Sequence, residues 1–91
     1  MSIVVRFTPA SLTRAQYDES VRRMRAEGTF PPEGMDYHVC FGEEGRLRVS
    51  EIWDSREQWQ AFGEQLMPVL ADVGIQPGDP DVFEVHNVVR R

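Results

Sequence analysis

The sequence contains no lysine, and its ten cationic side chains are all arginine. This absence excludes a lysine that forms a Schiff base with substrate and the phosphate-binding lysine of a P-loop. Acidic residues outnumber basic ones by 15 to 10, and the arginines form no basic stripe that would neutralise phosphates. We therefore expect no nucleic-acid partner.

Cysteine and long apolar runs are also scarce. Cys40 is the only cysteine, which excludes an internal disulfide and a metal cluster built from several thiolates. No apolar run approaches the roughly eighteen residues of a membrane-spanning helix, and the N-terminus lacks a basic region followed by an apolar stretch. We expect a cytoplasmic protein with no membrane partner.

The chain is short, but its composition is that of a folded protein. Its 91 residues are 41% hydrophobic and 27% charged, which predicts one compact domain over residues 1–91. A chain of this size buries only about 60–65% of its unfolded surface. Its core is therefore expected to be marginal unless a partner adds to it.

The first half of the chain predicts a strand, a helix and a loop. Residues 3–7 form a β-branched run that stops at Pro9. Thr13 and Gln16 have the spacing of a capping box, which predicts a helix that ends near Gly28. The apolar stripe of this helix is expected to pack in the core: Tyr17, Val21 and Met24.

The second half predicts a hairpin, a helix and a final strand. Residues 35–41 and 47–53 are the hairpin strands, joined by a glycine-containing turn. A helix is predicted from Ser55 to Gly74, with a kink or a restart just before Pro68 because proline lacks an amide donor. The last strand is predicted over residues 82–89.

The predicted order is βαββαβ, the order of the ferredoxin-like α+β sandwich, in which two helices cover one face of a four-stranded antiparallel sheet. Some strands are nevertheless apolar on both faces, as at Val4 and Val5 and at Val82 and Phe83. Two helices cover only one side of a sheet, so the other apolar side needs a partner. We therefore expect a homodimer.

The run from Val49 to Glu57, followed by Phe62, resembles the dimeric α/β-barrel superfamily, and more narrowly the small antibiotic-biosynthesis-monooxygenase-like proteins. The resemblance implies two sheets packed face to face, with a pocket between each subunit's sheet and helices. Members include cofactor-free oxygenases of polycyclic phenols, haem-degrading enzymes, isomerases and cyclases. The haem-degrading members carry a helical histidine near the place of Phe62, so we expect no haem and no other tightly bound cofactor.

A histidine and a carboxylate are predicted to meet across the hairpin. A two- or four-residue turn pairs positions that sum to 89, which places His38 opposite Glu51 and Asp36 opposite Trp53. A carboxylate that holds one tautomer of a histidine suits a general base. The alternatives are an ordinary structural pair, or a three-residue loop that breaks this pairing.

Five further residues are candidates for contacts with a substrate. The resemblance makes Trp53 and Phe62 pocket walls, although aromatic side chains at such positions often pack in the core. Cys40 shares the sheet face of the predicted pair, where it could also be a small buried hydrophobe. His86 and Asn87 lie on the predicted last strand, and the sequence does not decide which of them faces the helices. We expect no metal site, because the possible ligands have no close spacing.

The sequence therefore predicts a small-molecule enzyme, or an enzyme-like protein, that acts on a hydrophobic, aromatic or polyketide-like compound. His38 would remove a proton, Glu51 would orient it, and oxygenation, isomerisation or cyclisation would follow. One alternative is a non-catalytic ligand-binding or accessory module. The other is a structural dimer whose interior is filled by aromatic side chains: Trp53, Trp59 and Phe62.

Overall fold

A computed structural model describes all 91 residues as a four-stranded sheet with two helices. The elements are β1 (Ile3–Phe7), α1 (Arg14–Ala26), β2 (Met35–Glu43), β3 (Arg46–Trp53), α2 (Arg56–Val73) and β4 (Asp81–Glu84). The strands lie in the order β2-β3-β1-β4, and every neighbouring pair is antiparallel. The predicted ferredoxin-like α+β fold is confirmed.

Both helices begin at the predicted caps. The Thr13 hydroxyl accepts from the Gln16 amide at 3.1 Å, and the Gln16 side chain accepts from the Thr13 amide at 3.0 Å. Helix α2 continues through Pro68 to Val73 instead of restarting before it. Pro68 and Glu64 lie on the exposed side of α2, so water can hydrogen-bond the carbonyl that the proline leaves free. Neither helix is long and apolar enough to cross a membrane.

The helices pack on one face of the sheet, which we call the inner face. The largest core cluster joins Ile3 and Val5 of β1 and Trp53 of β3 to three helix side chains: Met24, Phe62 and Val69. A second cluster lies nearer the hairpin turn and contains Leu12, Leu47, Leu70 and Ile75. In the largest cluster, the sheet thus contributes two β-branched residues and one tryptophan, and the helices fill the space above them.

The hairpin has the predicted register over most of its length. His38 pairs with Glu51, and the pairing continues to Glu43 and Arg46, which leaves a two-residue turn. The predicted pairing of Asp36 with Trp53 is wrong. A β-bulge places Met35 opposite Trp53 and leaves Asp36 outside the ladder. The bulge puts an apolar side chain against the core, while Asp36 stays exposed and pairs with Arg90.

Strand β4 ends at Glu84, so the prediction of a strand over residues 82–89 is wrong beyond that point. Its partner β1 begins at Ile3, which pairs with Glu84, and one further hydrogen bond joins the Val85 amide to the Ser2 carbonyl. The backbone of residues 86–91 has no hydrogen-bond partner in the sheet.

The outer face of the sheet carries no helix and remains partly apolar. Tyr37, Phe41 and Phe83 project from it with exposed fractions of 52%, 38% and 59%. Val4 of β1 and Ile52 of β3 are paired in register between them and are half-buried. The uncovered apolar face predicted from the sequence is therefore present.

Candidate active site

A cavity lies between the inner face of the sheet and the two helices. Its volume is about 70 Å³, which is room for several water-sized groups. Twelve of the seventeen residues that line it are hydrophobic, so a ligand inside would make mostly apolar contacts. Polar side-chain groups come from only four lining residues: Tyr17, Ser20, His38 and Glu51. The interior is therefore not filled as the structural alternative requires.

His38 and Glu51 form a close pair at this polar part of the wall. The imidazole Nδ1 lies 2.8 Å from Oε2 of Glu51, whose side chain is only 5% exposed. The other carboxylate oxygen, Oε1, accepts a hydrogen bond from Nε1 of Trp53 at 3.0 Å. A carboxylate offers only acceptors, so Nδ1 carries the proton that it donates to Glu51. In the neutral imidazole, this interaction selects the tautomer with the proton on Nδ1 and leaves Nε2 as the basic nitrogen.

The hydroxyl of Tyr17 completes a continuous line of hydrogen bonds. It lies 2.7 Å from Nε2 of His38, and the two ring centroids are 5.9 Å apart with the ring planes at 23°. Because Nε2 has a lone pair in this tautomer, the phenol donates and the imidazole accepts. Helix α1 brings Tyr17 to this place, since the capping box at Thr13 fixes where the helix starts and its stripe faces the sheet. We call these four side chains the relay: Tyr17, His38, Glu51 and Trp53.

Burial controls the protonation of the groups around His38. Burial raises the pKa of the Tyr17 phenol to about 12, with smaller contributions from Cys40 and Glu51. Tyr17 is therefore a neutral hydrogen-bond donor near neutral pH. Burial also raises the pKa of the Cys40 thiol, and the nearby Asp18 adds to this effect. Cys40 is thus a thiol and not a nucleophilic thiolate under the same conditions.

Two phenylalanines narrow the cavity beside the histidine. Phe30 approaches the His38 ring edge-on, with centroids 5.3 Å apart and planes at 85°. Its own ring lies 6.4 Å from Phe62 of α2, and the Arg25 guanidinium sits 5.5 Å from its centroid. Phe30 belongs to the segment between α1 and β2, which the Thr29 amide anchors by donating to the Met24 carbonyl.

The predicted site residues fall into two groups. His38, Glu51 and Phe62 line the cavity. The other four are not among its lining residues: Trp53 is fully buried behind Glu51, Cys40 packs against the second core cluster, and the exposed His86 and Asn87 follow β4. No three histidine, cysteine or acidic side chains converge in a group that could hold a metal ion.

Tyr17 is the residue that the sequence reasoning missed. Its place on the stripe with Val21 and Met24 predicts a side chain that faces the sheet, and core packing was the expected role. The hydroxyl group of this tyrosine was the signal in the sequence that pointed to a role in the site. A hydroxyl on a stripe that faces a predicted histidine–carboxylate pair needs a buried polar partner, and His38 is that partner.

The similarity of this chain to known proteins lies in its fold. No protein-family model matches the sequence, and no curated protein matches it. A crystal structure of a protein assigned as an antibiotic biosynthesis monooxygenase from Chloroflexus aurantiacus is similar with a TM-score of 0.67 and 15% identity. That similarity covers 99% of this chain and 98% of the other. A protein of the same assignment from Caulobacter crescentus has a TM-score of 0.61 and 20% identity, over 97% of this chain and 91% of the other.

SnoaB, a cofactor-independent oxygenase from Streptomyces nogalater, is also similar. Its TM-score is 0.61 at 16% identity, and the similarity covers 99% of this chain and 96% of SnoaB. At such identities a structural likeness establishes the fold and leaves the activity to be argued from the site. The chain has the ferredoxin-like fold of the antibiotic-biosynthesis-monooxygenase-like proteins.

Proposed function

We propose that the protein is a cofactor-independent enzyme that removes a proton from a hydrophobic, aromatic or polyketide-like small molecule. One observation carries the proposal: an imidazole held by a buried carboxylate lies at the polar end of an otherwise apolar cavity. SnoaB, which has a similar fold, is a cofactor-independent oxygenase, and this similarity supports the proposal.

The chemistry needs only groups that the chain supplies. A proton leaves an acidic C–H or O–H bond of the substrate and reaches His38, and the substrate keeps the electron pair as an enolate. Glu51 stabilises the imidazolium that forms, as the carboxylate of a catalytic triad does. A positioned general base typically contributes about 10²–10⁴ in rate. Oxygenation by O₂, isomerisation and cyclisation all begin with this enolate.

The apolar wall supports the same reaction. Aromatic side chains such as Phe30 and Phe62 offer stacking and edge contacts to a flat substrate. Excluding water also strengthens the attraction between the imidazolium and the new negative charge, because the local dielectric constant is low.

A second candidate is a binding module that turns nothing over. The observation in its favour is that every buried polar side-chain atom already has a hydrogen-bond partner without a ligand. A satisfied network is what a purely structural or binding role requires. The two candidates differ in whether His38 is needed for a reaction or only for affinity.

The deciding experiment is a mass-spectrometric screen of small aromatic phenols and ketones, first for binding and then for conversion in air and under nitrogen. We expect conversion by the wild type and a loss of about 10²–10⁴ in rate for His38→Ala. His86→Ala is the matched control, because this second histidine is exposed and lies after β4. Conversion by His38→Ala at the wild-type rate would reject the proposal. Ligand bound without conversion would favour the binding module.

We also propose that the outer face packs against the same face of a second copy. Its exposed aromatic side chains, Tyr37, Phe41 and Phe83, form an apolar surface that a lone small domain would expose to water. A two-fold axis pairs a surface with itself, so one patch is sufficient for both partners. Sedimentation of the wild type as a dimer, and of Phe83→Asp as a 10.5 kDa monomer, is the expected result. A wild-type monomer at micromolar concentration would contradict it.

A further inference from the structure

We infer that Tyr17, rather than His38, is the group that touches the substrate and takes its proton, while its own proton passes to Nε2 of His38. This inference rests on the proposed function and assigns the substrate-facing atom of the same site. It makes Tyr17 a catalytic residue and His38 the acceptor behind it.

Both nitrogens of His38 are already engaged. Nδ1 lies 2.8 Å from the Glu51 carboxylate, and Nε2 lies 2.7 Å from the Tyr17 hydroxyl. Each ring nitrogen has one hydrogen-bonding direction in the plane of the ring. A substrate proton therefore has no open path to Nε2 while Tyr17 is in place.

The imidazole is also largely enclosed by its neighbours. Because its hydroxyl reaches Nε2 in the plane of the imidazole, the Tyr17 ring lies beside that ring, with planes at 23° and centroids 5.9 Å apart, and the Phe30 ring meets it at 85°. The histidine side chain is only 16% exposed. Tyr17 and His38 both line the cavity, and the Tyr17 hydroxyl sits on Nε2, so a molecule that approaches Nε2 meets the Tyr17 oxygen first.

The proton balance closes without any further reactant. The C–H or O–H bond of the substrate breaks, and its proton forms a new O–H bond on Tyr17. The original O–H bond of Tyr17 breaks in the same step, and that proton forms an N–H bond at Nε2. The substrate keeps the electron pair, and the positive charge on His38 lies beside the Glu51 carboxylate. The raised pKa of the phenol disfavours a free tyrosinate, so the two transfers occur together.

The hydroxyl also has a role once the proton has moved. With Nε2 protonated, the Tyr17 oxygen accepts from Nε2–H and its O–H is free to donate to the new enolate oxygen. A donor aimed at charge that develops during the reaction stabilises the transition state more than the ground state. Loss of this hydroxyl is therefore expected to lower kcat with little change in KM.

The test measures exchange of the protons next to the carbonyl group of acetophenone and 2-tetralone in D₂O by NMR. We compare the wild type with Tyr17→Phe, His38→Ala and the control Tyr37→Phe, whose tyrosine lies exposed on the outer face. We expect both Tyr17→Phe and His38→Ala to lose about 10²–10⁴ in exchange rate, and Tyr37→Phe to keep it.

The outcomes separate the inference from the proposed function. If Tyr17→Phe exchanges as fast as the wild type or faster while His38→Ala is inactive, His38 acts directly, so the inference is wrong and the proposed function stands. If His38→Ala also keeps the wild-type rate, or the wild type shows no exchange above buffer, the proposed function fails and the inference fails with it.

Chemical rescue distinguishes the hydroxyl from the ring that carries it. Tyr17→Ala leaves a space the size of a phenol, which added phenol or added benzene can fill. Phenol is expected to restore part of the lost exchange rate, and benzene is expected to restore none. Equal rescue by the two compounds would show that Tyr17 only fills space, which would overturn the inference.

Discussion

Replacing Glu51 by glutamine is expected to abolish the base without unfolding the protein. Glu51 accepts from two buried donors, Nδ1 of His38 and Nε1 of Trp53. A glutamine amide has one acceptor oxygen and one donor nitrogen. Its oxygen can keep the bond from Trp53, and its NH₂ group can then donate to Nδ1 if the histidine moves its proton to Nε2. The Tyr17 oxygen then accepts from Nε2–H, its own O–H turns towards the cavity, and the basic nitrogen now faces the glutamine.

The expected magnitudes follow from this rearrangement. In a serine-protease triad the same change from carboxylate to amide costs about 10⁴ in kcat because the histidine adopts the wrong tautomer. We expect a loss of about 10⁴ in rate for Glu51→Gln with a change of less than about 1 kcal/mol in the free energy of unfolding, since the buried donor of Trp53 keeps its acceptor and the one donor that loses its acceptor, the Tyr17 hydroxyl, borders the cavity. Glu51→Leu is the matched variant. It leaves Nε1–H of the fully buried Trp53 without an acceptor, which costs about 1–3 kcal/mol.

Three measurements check this prediction. Nitrogen-15 NMR of labelled histidine reports the tautomer of His38, urea denaturation gives the free energy of unfolding, and the exchange assay gives the rate. The expected pattern is a proton on Nε2 in both variants, with lost stability only in Glu51→Leu. Glu51→Gln with the proton still on Nδ1 and the wild-type rate would refute the reasoning about the tautomer.

The remaining predictions concern the helix cap, the cavity wall, the phenol and a surface ion pair. Thr13→Ala removes the capping box of α1 and is expected to cost about 1 kcal/mol, which lowers Tm by roughly 4–8 °C in a scanning calorimeter. Phe62→Ala removes a buried ring that contacts Trp53 and is expected to cost about 3–5 kcal/mol in urea denaturation; a cost below about 1 kcal/mol would mean that the ring is not core. The pKa of the Tyr17 phenol is raised from 10.0, the value expected in the unfolded chain, to about 12 in the folded protein. The free energy of unfolding is therefore at its full value below pH 10.0 and falls as the pH rises towards 12. Urea denaturation at each pH is expected to show a smaller fall in the free energy of unfolding for Tyr17→Phe than for the wild type over this range. Glu19 pairs with Arg22 and Arg23 on the exposed side of α1, and Glu19→Gln is expected to leave the urea midpoint unchanged at neutral pH.

The histidine–carboxylate pair was predictable from sequence because both residues belong to one hairpin. A two-residue turn and the two-residue period of strands fix which positions face each other, so local rules were sufficient to place His38 opposite Glu51. The prediction failed only at Asp36, where the bulge depends on packing. The core favours Met35 on the inner face, and that preference comes from residues far along the chain.

The contact between Tyr17 and His38 was not predictable in the same way. It joins a helix to a strand 21 positions away, and it depends on how α1 lies across the sheet. Helical periodicity gives the face of Tyr17 but not the partner that the face meets. The end of β4 was missed for a related reason, since it is set by where β1 begins and not by the apolar character of residues 85–89.

The bulge at Asp36 makes the direction of the His38 side chain independent of the length of the segment before β2. In a regular strand, adding or removing one residue before His38 would turn that side chain to the opposite face of the sheet. A bulge absorbs one extra residue, so the segment that carries Phe30 can change in length without moving the histidine. Insertions and deletions between α1 and β2 are therefore expected to be tolerated. Related chains are therefore expected to vary in the cavity wall around Phe30 while His38 keeps its place on the inner face of the sheet.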